Sequence, residues 1–211
     1  MLSFVIGRND WREYDQIISL YTLEKGKVEV LARGVKKILS KNSAFLEPGN
    51  LVEAEVIPGK DLNHLGSVQV INDFTGLRKS GWGNSVLSFS LYIFSHFITH
   101  QEKDERVFKL VYSWLDFLNK TKTVPAVFAV DVFVIKFLAV LGFDISTEEK
   151  INSEIKKVLE SIVSGDWEVI NSLKFEAGKA EILHSIVYQF CLYHSPKKVN
   201  NWSKLAYFSG K

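Results

Sequence analysis

The feature that most constrains the fold of this chain is a change of hydrophobic period near Leu77–Gly83. Before it, apolar residues fall in short runs. Lys27-Val28-Glu29-Val30 and Val52-Glu53-Ala54-Glu55-Val56 alternate polar and apolar side chains, the period of a half-buried strand. Five such runs, Leu2–Arg8, Tyr14–Thr22, Lys27–Arg33, Leu51–Ile57 and Leu65–Phe74, are rich in Val, Ile, Tyr and Phe. Asn-Asp, Lys-Gly-Lys, Pro-Gly-Asn and Pro-Gly-Lys turns bound them. After Lys79 the spacing is helical, over Asn84–Thr99, Asp104–Asn119, Ala126–Leu141, Thr147–Val163 and Ala180–Tyr193, with a last turn near Trp202–Phe208. Asn84, Asp104 and Ser146-Thr147-Glu148-Glu149 read as helix starts, and Gly142 as a helix end.

A chain patterned this way is α+β: a β-domain over residues 1–79 and an all-α domain over 80–211. Five strands with a longer connection after the third suit a five-stranded OB-type β-barrel. An SH3-like barrel or a small sandwich fits the same pattern. Gly81-Trp82-Gly83 reads as a hinge between the two parts.

Val124–Phe143 is long enough to span a bilayer, yet it carries Asp131 and Lys136, each costing roughly 2.5–3.5 kcal/mol at a bilayer centre. It reads as the buried central helix of a globular domain. The apolar run Leu2–Ile6 is too short for a signal peptide. Cys191 is the single cysteine, which excludes an intramolecular disulfide and fits a reducing compartment. The expected location is the cytoplasm.

Chemistry concentrates in one place. Arg33, Lys36, Lys37 and Lys41 fall in a Gly34-containing connection between two strands, with Lys25 and Lys27 across the preceding turn. Phosphate binding needs several cations within reach of closely spaced charges, and Gly34 lets a loop bend close to such a backbone. A solvated polar loop is the plainer reading, because lysines are mostly exposed and the net charge is only +2. The first strand connection adds Arg8 and Arg12 as candidate phosphate contacts. Trp11 and Tyr14 beside them either stack on bases or pin the turn to the barrel, and for Tyr14 pinning is the expectation. Lys197, Lys198 and Lys204 around Trp202 make a second basic cluster.

His96 and His100 have a metal-ligand spacing without a third ligand nearby, and Cys191 with His184 and His194 lies in an apolar helix, so no metal is expected. There is no phosphate-binding Gly-rich Lys-Ser/Thr loop, no Gly-x-Ser-x-Gly elbow and no dinucleotide fingerprint; an enzyme is not expected. Most aromatic residues of the helical part sit at core spacing. A shallow groove for a partner peptide remains open.

Ala32-Arg33-Gly34-Val35-Lys36-Lys37, followed by Ser40-Lys41 and Leu46-Glu47-Pro48, resembles the N-terminal domain of the bacterial RecO family. Glu13-Tyr14-Asp15, Ile17, Leu20, Thr22 and Gly26 upstream, Phe137–Phe143, and the closing Tyr193-His194 and Lys197-Lys198 resemble it too. The chain departs from the family pattern at Tyr14 and Gly49, and lacks the four zinc-ribbon cysteines many members carry. The resemblance implies a non-enzymatic recombination mediator in DNA repair. Such a protein binds single- and double-stranded DNA, anneals complementary strands, engages the C-terminal tail of single-stranded DNA-binding protein, and with RecR helps load RecA. The resemblance makes Arg33, Lys36, Lys37 and Lys41 the first candidates for DNA contact, with Arg8, Arg12, Lys25 and Lys27 behind them. A protein-interaction scaffold and an RNA-binding OB-fold module are the alternatives.

Overall fold

A computed structural model describes residues 1–38, 40, 42–99, 102–121, 125–173 and 177–208. The strands are β1 (Leu2–Asp10), β2 (Gln16–Thr22), β3 (Gly26–Ala32), β4 (Leu51–Ile57) and β5 (Asn63–Asn72). The helices are α1 (Asn42–Phe45), α2 (Thr75–Arg78), α3 (Gly81–Phe97), α4 (Glu105–Lys120), α5 (Ala126–Val140), α6 (Ser153–Ser164), α7 (Val169–Ser172) and α8 (Ala177–His194). Turns of 3-10 helix cover Ile145–Thr147 and Ser203–Phe208. The contacts group the chain into two compact units, one of Met1–Thr75 with Ile98–Phe108, the other of Gly76–Phe97 and the chain from Lys109 onward.

In the first unit the strands close into a barrel in the order β1-β2-β3-β5-β4, with β1 antiparallel to both β2 and β4. This is the OB-type arrangement. The β3–β5 joint is parallel and only two residue pairs long, Val30 with Asn63 and Leu31 with His64. Strict alternation makes the core: Val28, Val30 and Ala32 of β3 turn inward, and Lys27, Glu29 and Leu31 between them are less covered. Leu46, from the connection between β3 and β4, is fully buried in the same cluster as Val5, Ile18 and Leu20. Leu46 thereby roots the basic connection in the barrel. The chain then turns at Pro48-Gly49, where Gly49 takes φ 91° and donates its N–H to the Val5 carbonyl at 2.7 Å.

The segment Ile98–Phe108 packs on this barrel. Phe108 lies 4.8 Å from Phe4 between ring centroids, and the Tyr21 hydroxyl donates to the Asp104 carbonyl at 3.2 Å. Burial pushes the Tyr21 phenol up to about 12. Gly26 is required twice over. Its φ is +70°, and a Cβ there would stand 2.3 Å from the Glu102 carbonyl oxygen.

The second unit is built around α5, whose residues from Phe128 to Leu138 are all buried. Phe94 of α3 and Trp114 of α4 stack on Phe137 and Phe133 of α5 at 5.3 and 5.5 Å. Asp131 accepts from Trp202 and pairs with His184, and Lys136 donates to the Gly165 carbonyl beneath the Trp167 ring. Burial lowers the Lys136 pKa. Among the described residues no helix is long and apolar enough to cross a membrane. The helix ends at Gly142 (φ 94°) as expected: Gly142 N–H donates to Ala139 and Phe143 N–H to Leu138, the paired bonds of a left-handed helix end.

Two local expectations are corrected. The helix expected from Thr147 starts only at Ser153. Asp144 Oδ1 takes the Ser146 N–H at 2.9 Å and its hydroxyl at 2.7 Å, closing a 3-10 turn instead. Asn152 then caps α6 by accepting from Glu154 N–H at 2.8 Å. Gly81-Trp82-Gly83 is the first turn of α3 rather than a hinge. Gly83 is buried, and a Cβ there would meet the Leu77 carbonyl at 2.1 Å.

Candidate nucleic-acid interface

Strand register places the β1–β2 turn and the connection after β3 at the same end of the barrel. Asp10 pairs with Gln16 across the first hairpin, and Gln16 with Ala32 across the second. Two hydrogen bonds fasten the turn to the connection. Asp15 Oδ1 accepts the Gly34 N–H at 2.8 Å, and the Tyr14 carbonyl accepts the Lys36 N–H at 3.0 Å. Gly34 takes φ +65°, a conformation that favours glycine, and Lys37 N–H closes the turn onto its carbonyl at 3.1 Å.

The acidic groups at this end are largely committed within the protein. Asp10 accepts from Gln16 Nε2 and Lys36 Nζ, both at 2.9 Å, and these two bonds hold its carboxyl below the usual range. Glu47 pairs with Arg8. A hydrogen bond to Glu13 raises the Tyr14 phenol. The cations divide accordingly. The Arg8 guanidinium is consumed by structure: Nε and Nη2 donate to Gln16 Oε1 at 3.1 and 2.9 Å, and Nη1 to Glu47 and to the Ser43 carbonyl. It clamps α1 to the first hairpin. Lys36 is shared with Asp10. Arg12 and Arg33 are exposed, and their side chains have no hydrogen-bond or ion-pair partner among the described residues. Lys37 is exposed too, with Nζ 5.8 Å from the centre of the Tyr14 ring. Lys41 lies outside the described residues.

Trp11 and Tyr14 stand among these cations at 53% and 46% exposure. Tyr14 therefore does not pin the turn into the barrel, contrary to expectation. Its ring is a platform with an ammonium beside it. Beyond the short β3–β5 joint a cleft of about 290 Å³ opens under Arg33, lined also by Asn42, His64 and Gly66. Cations and open aromatic faces on one surface can bind a nucleic-acid backbone and stack its bases.

Lys25 and Lys27 belong to the β2–β3 turn, at the other end of a strand about 20 Å long. Lys27 Nζ is 4.0 Å from Glu29 and lines a cleft that also contains Asp61. Lys197, Lys198 and Lys204 are exposed in the second unit, after α8 and in the last 3-10 turn.

Among the described residues no group of three His, Cys, Asp or Glu side chains could hold a metal ion. His96 Nδ1 bonds to the Tyr92 carbonyl at 2.8 Å, and His100 lies outside the described residues. Cys191 is buried, with its thiol pushed up to about 12 by desolvation. Sequence reasoning missed the organisers Asp10, Asp15 and Gln16. Asp15 was findable, as an Asp near the end of a turn whose carboxylate can hold a neighbouring N–H.

Residues 3–74 match the family model described as recombination protein O N terminal. The chain is 25% identical over 146 residues to a DNA repair protein RecO of Geobacter metallireducens, covering 69% of this chain and 59% of the relative. It is 30% identical over 124 residues to one of Anaeromyxobacter sp. (strain K), covering 58% and 49%, and 24% identical over 160 residues to one of Caldicellulosiruptor bescii, covering 76% and 65%. The matched stretch thus spans between about half and two thirds of each relative's own length.

Proposed function

We propose that this chain, whose residues 3–74 match the recombination protein O N-terminal model, is a RecO-type mediator of recombinational DNA repair that grips DNA with the Trp11–Lys37 end of its barrel. The observation that supports the reading is that the side chains of Arg12 and Arg33 have no hydrogen-bond or ion-pair partner among the described residues. Arg12, Arg33 and Lys37 face solvent beside Trp11 and Tyr14, and the nearby carboxylates of Asp10 and Glu47 are engaged by internal partners.

The mechanism follows from charge. Two strands that must anneal repel through their phosphates; cations supplied by the protein lower that repulsion, and base pairing then selects the partner. Stacking on Trp11 and Tyr14 holds single strands without regard to sequence, since every base has a π-face. Arg8 and Lys36 act one step back, setting the loop's position and its charge. No catalytic group is needed for this work. RecR, the tail of single-stranded DNA-binding protein and, indirectly, RecA complete the proposed set of partners, in the cytoplasm.

The test is binding of labelled single- and double-stranded oligonucleotides by fluorescence anisotropy, with annealing of complementary strands followed in parallel. Affinity is expected to fall steeply with salt, and annealing to accelerate with protein. RNA of the same sequence serves as competitor. Stronger competition by RNA would favour an RNA-binding module, and partner capture without any oligonucleotide binding would favour a scaffold.

A further inference from the structure

The segment from Val199 to Leu205 lies against α5 and α8, with Val199 and Trp202 buried to 0% and 1% exposure. Tyr188 OH donates to the Val199 carbonyl at 3.2 Å, and Asn200 N–H to Tyr92 OH at 3.0 Å. The most deeply placed tie is polar. Trp202 Nε1 donates to Asp131 Oδ1 at 2.7 Å, the same oxygen that faces His184 Nδ1 at 2.9 Å. On the ring's other side His184 Nε2 faces Asn201 Oδ1 at 3.1 Å.

The proton count of this chain of groups can be read from its partners. Asn201 Oδ1 also accepts the Ser203 N–H at 2.7 Å, which identifies that atom as the amide oxygen. His184 Nε2 must therefore carry a hydrogen. His184 Nδ1 then faces a carboxylate oxygen, and without a proton between them two lone pairs would oppose each other in a buried site. The proton is required whether it sits on the ring, as imidazolium with carboxylate, or on Asp131, as carboxylic acid with imidazole.

We propose that Asp131 and His184 hold one shared proton, and that this proton is the latch fastening residues 199–205 to the helical unit. Its loss would leave a lone carboxylate at 1% exposure, which a protein interior does not tolerate. The other titratable groups around the pair are Tyr188 of α8, whose ring lies 6.2 Å from that of His184, and Tyr92 of α3, reached through Asn200. Lys136 of α5 is turned to the Gly165 carbonyl, and Lys198 and Lys204 are exposed. The only charged groups that act on one another here, among the described residues, are Asp131 and His184.

The direction of the pH effect is fixed. Burial alone would favour neutral His184, but the hydrogen bond and charge of Asp131, with Asn201, outweigh it and raise its pKa; burial raises that of Asp131. The folded chain holds the proton more tightly than the unfolded chain. Latch stabilisation is complete below about pH 6.5, the unfolded histidine value, and is lost as pH rises through the raised value of the pair. Opening would also remove Asn200 and Leu205 from the wall of a 420 Å³ groove floored by Ser85, Phe89 and Tyr92.

The experiment is NMR of the ¹⁵N-histidine-labelled chain from pH 5.5 to 10, paired with amide hydrogen exchange corrected for intrinsic rates. His184 is identified by the signal missing from His184→Gln, or, if that variant does not fold, by replacing the other histidines in turn. The expected result is a His184 midpoint above 6.5, with exchange at residues 199–205 rising tenfold or more through the same range while the Val111–Leu118 amides stay unchanged. A midpoint at or below 6.5, strap exchange that is flat through the titration, or exchange that rises in step with Val111–Leu118 would overturn the proposal.

Discussion

The two ends of the barrel differ in how their cations are placed. At one end Arg12, Arg33 and Lys37 are exposed beside Trp11 and Tyr14, while nearby carboxylates are spent on Lys36, Arg8 and the Gly34 amide. At the other, Lys27 sits against Glu29 and near Asp61, Glu24 accepts the Leu2 N–H, and Gly26 is closed over by Glu102. What separates one cation from another is whether its donors are already engaged: Lys27 is held near Glu29, whereas Arg12 and Arg33 have no side-chain partner among the described residues. Arg8 makes the same point within one end: a guanidinium with its donors already committed has little left to offer a phosphate.

The sharpest way to break this contrast is to remove the free cations. An Arg12→Ala/Arg33→Ala/Lys37→Ala variant is expected to lose affinity for duplex DNA on the order of 10²-fold at 50 mM salt, measured by anisotropy, with its circular dichroism unchanged. Trp11→Ala should weaken single-strand binding roughly fivefold or more, the low end of base–aromatic stacking, and leave duplex binding nearly untouched. An equal loss on both substrates would remove the stacking role. Asp10→Asn frees Lys36 from its carboxylate, so affinity should rise a few-fold and the salt dependence steepen by about one phosphate's worth. The smallest effect belongs to the other end: Lys25→Ala/Lys27→Ala should shift affinity by less than about twofold, within what screened peripheral charges contribute.

The barrel was largely legible because alternation is a local signal. Val52–Val56 and Lys27–Val30 display their inward faces directly, and β4 has the bounds expected of it. The stretch that resembles the RecO N-terminal domain was legible too, and the structure gives it physical sense: Leu46 plugs the barrel, and Gly34 takes a conformation that favours glycine. What escaped sequence reading depends on side chains meeting across turns. Nothing local to Asp144 shows that it will capture Ser146 and delay α6, and nothing local to Arg8 shows that Gln16, Ser43 and Glu47 will converge on it. Tyr14 was expected to pin the turn onto the barrel, yet the Asp15–Gly34 bond fastens the turn and the Tyr14 ring is left half exposed. Asp131 read only as an obstacle to a membrane span. Its partners His184 and Trp202 are 53 and 71 residues away.

The most direct test is the salt dependence of duplex binding for three proteins side by side: the wild type, the Arg12/Arg33/Lys37 triple alanine variant and the Lys25/Lys27 double alanine variant. If the free cations at the Trp11–Lys37 end contact three phosphates, the slope of log affinity against log salt should be shallower by about 2.7 in the triple variant and unchanged in the double. Equal slopes in the wild type and the triple variant, or a larger change in the double, would contradict the account.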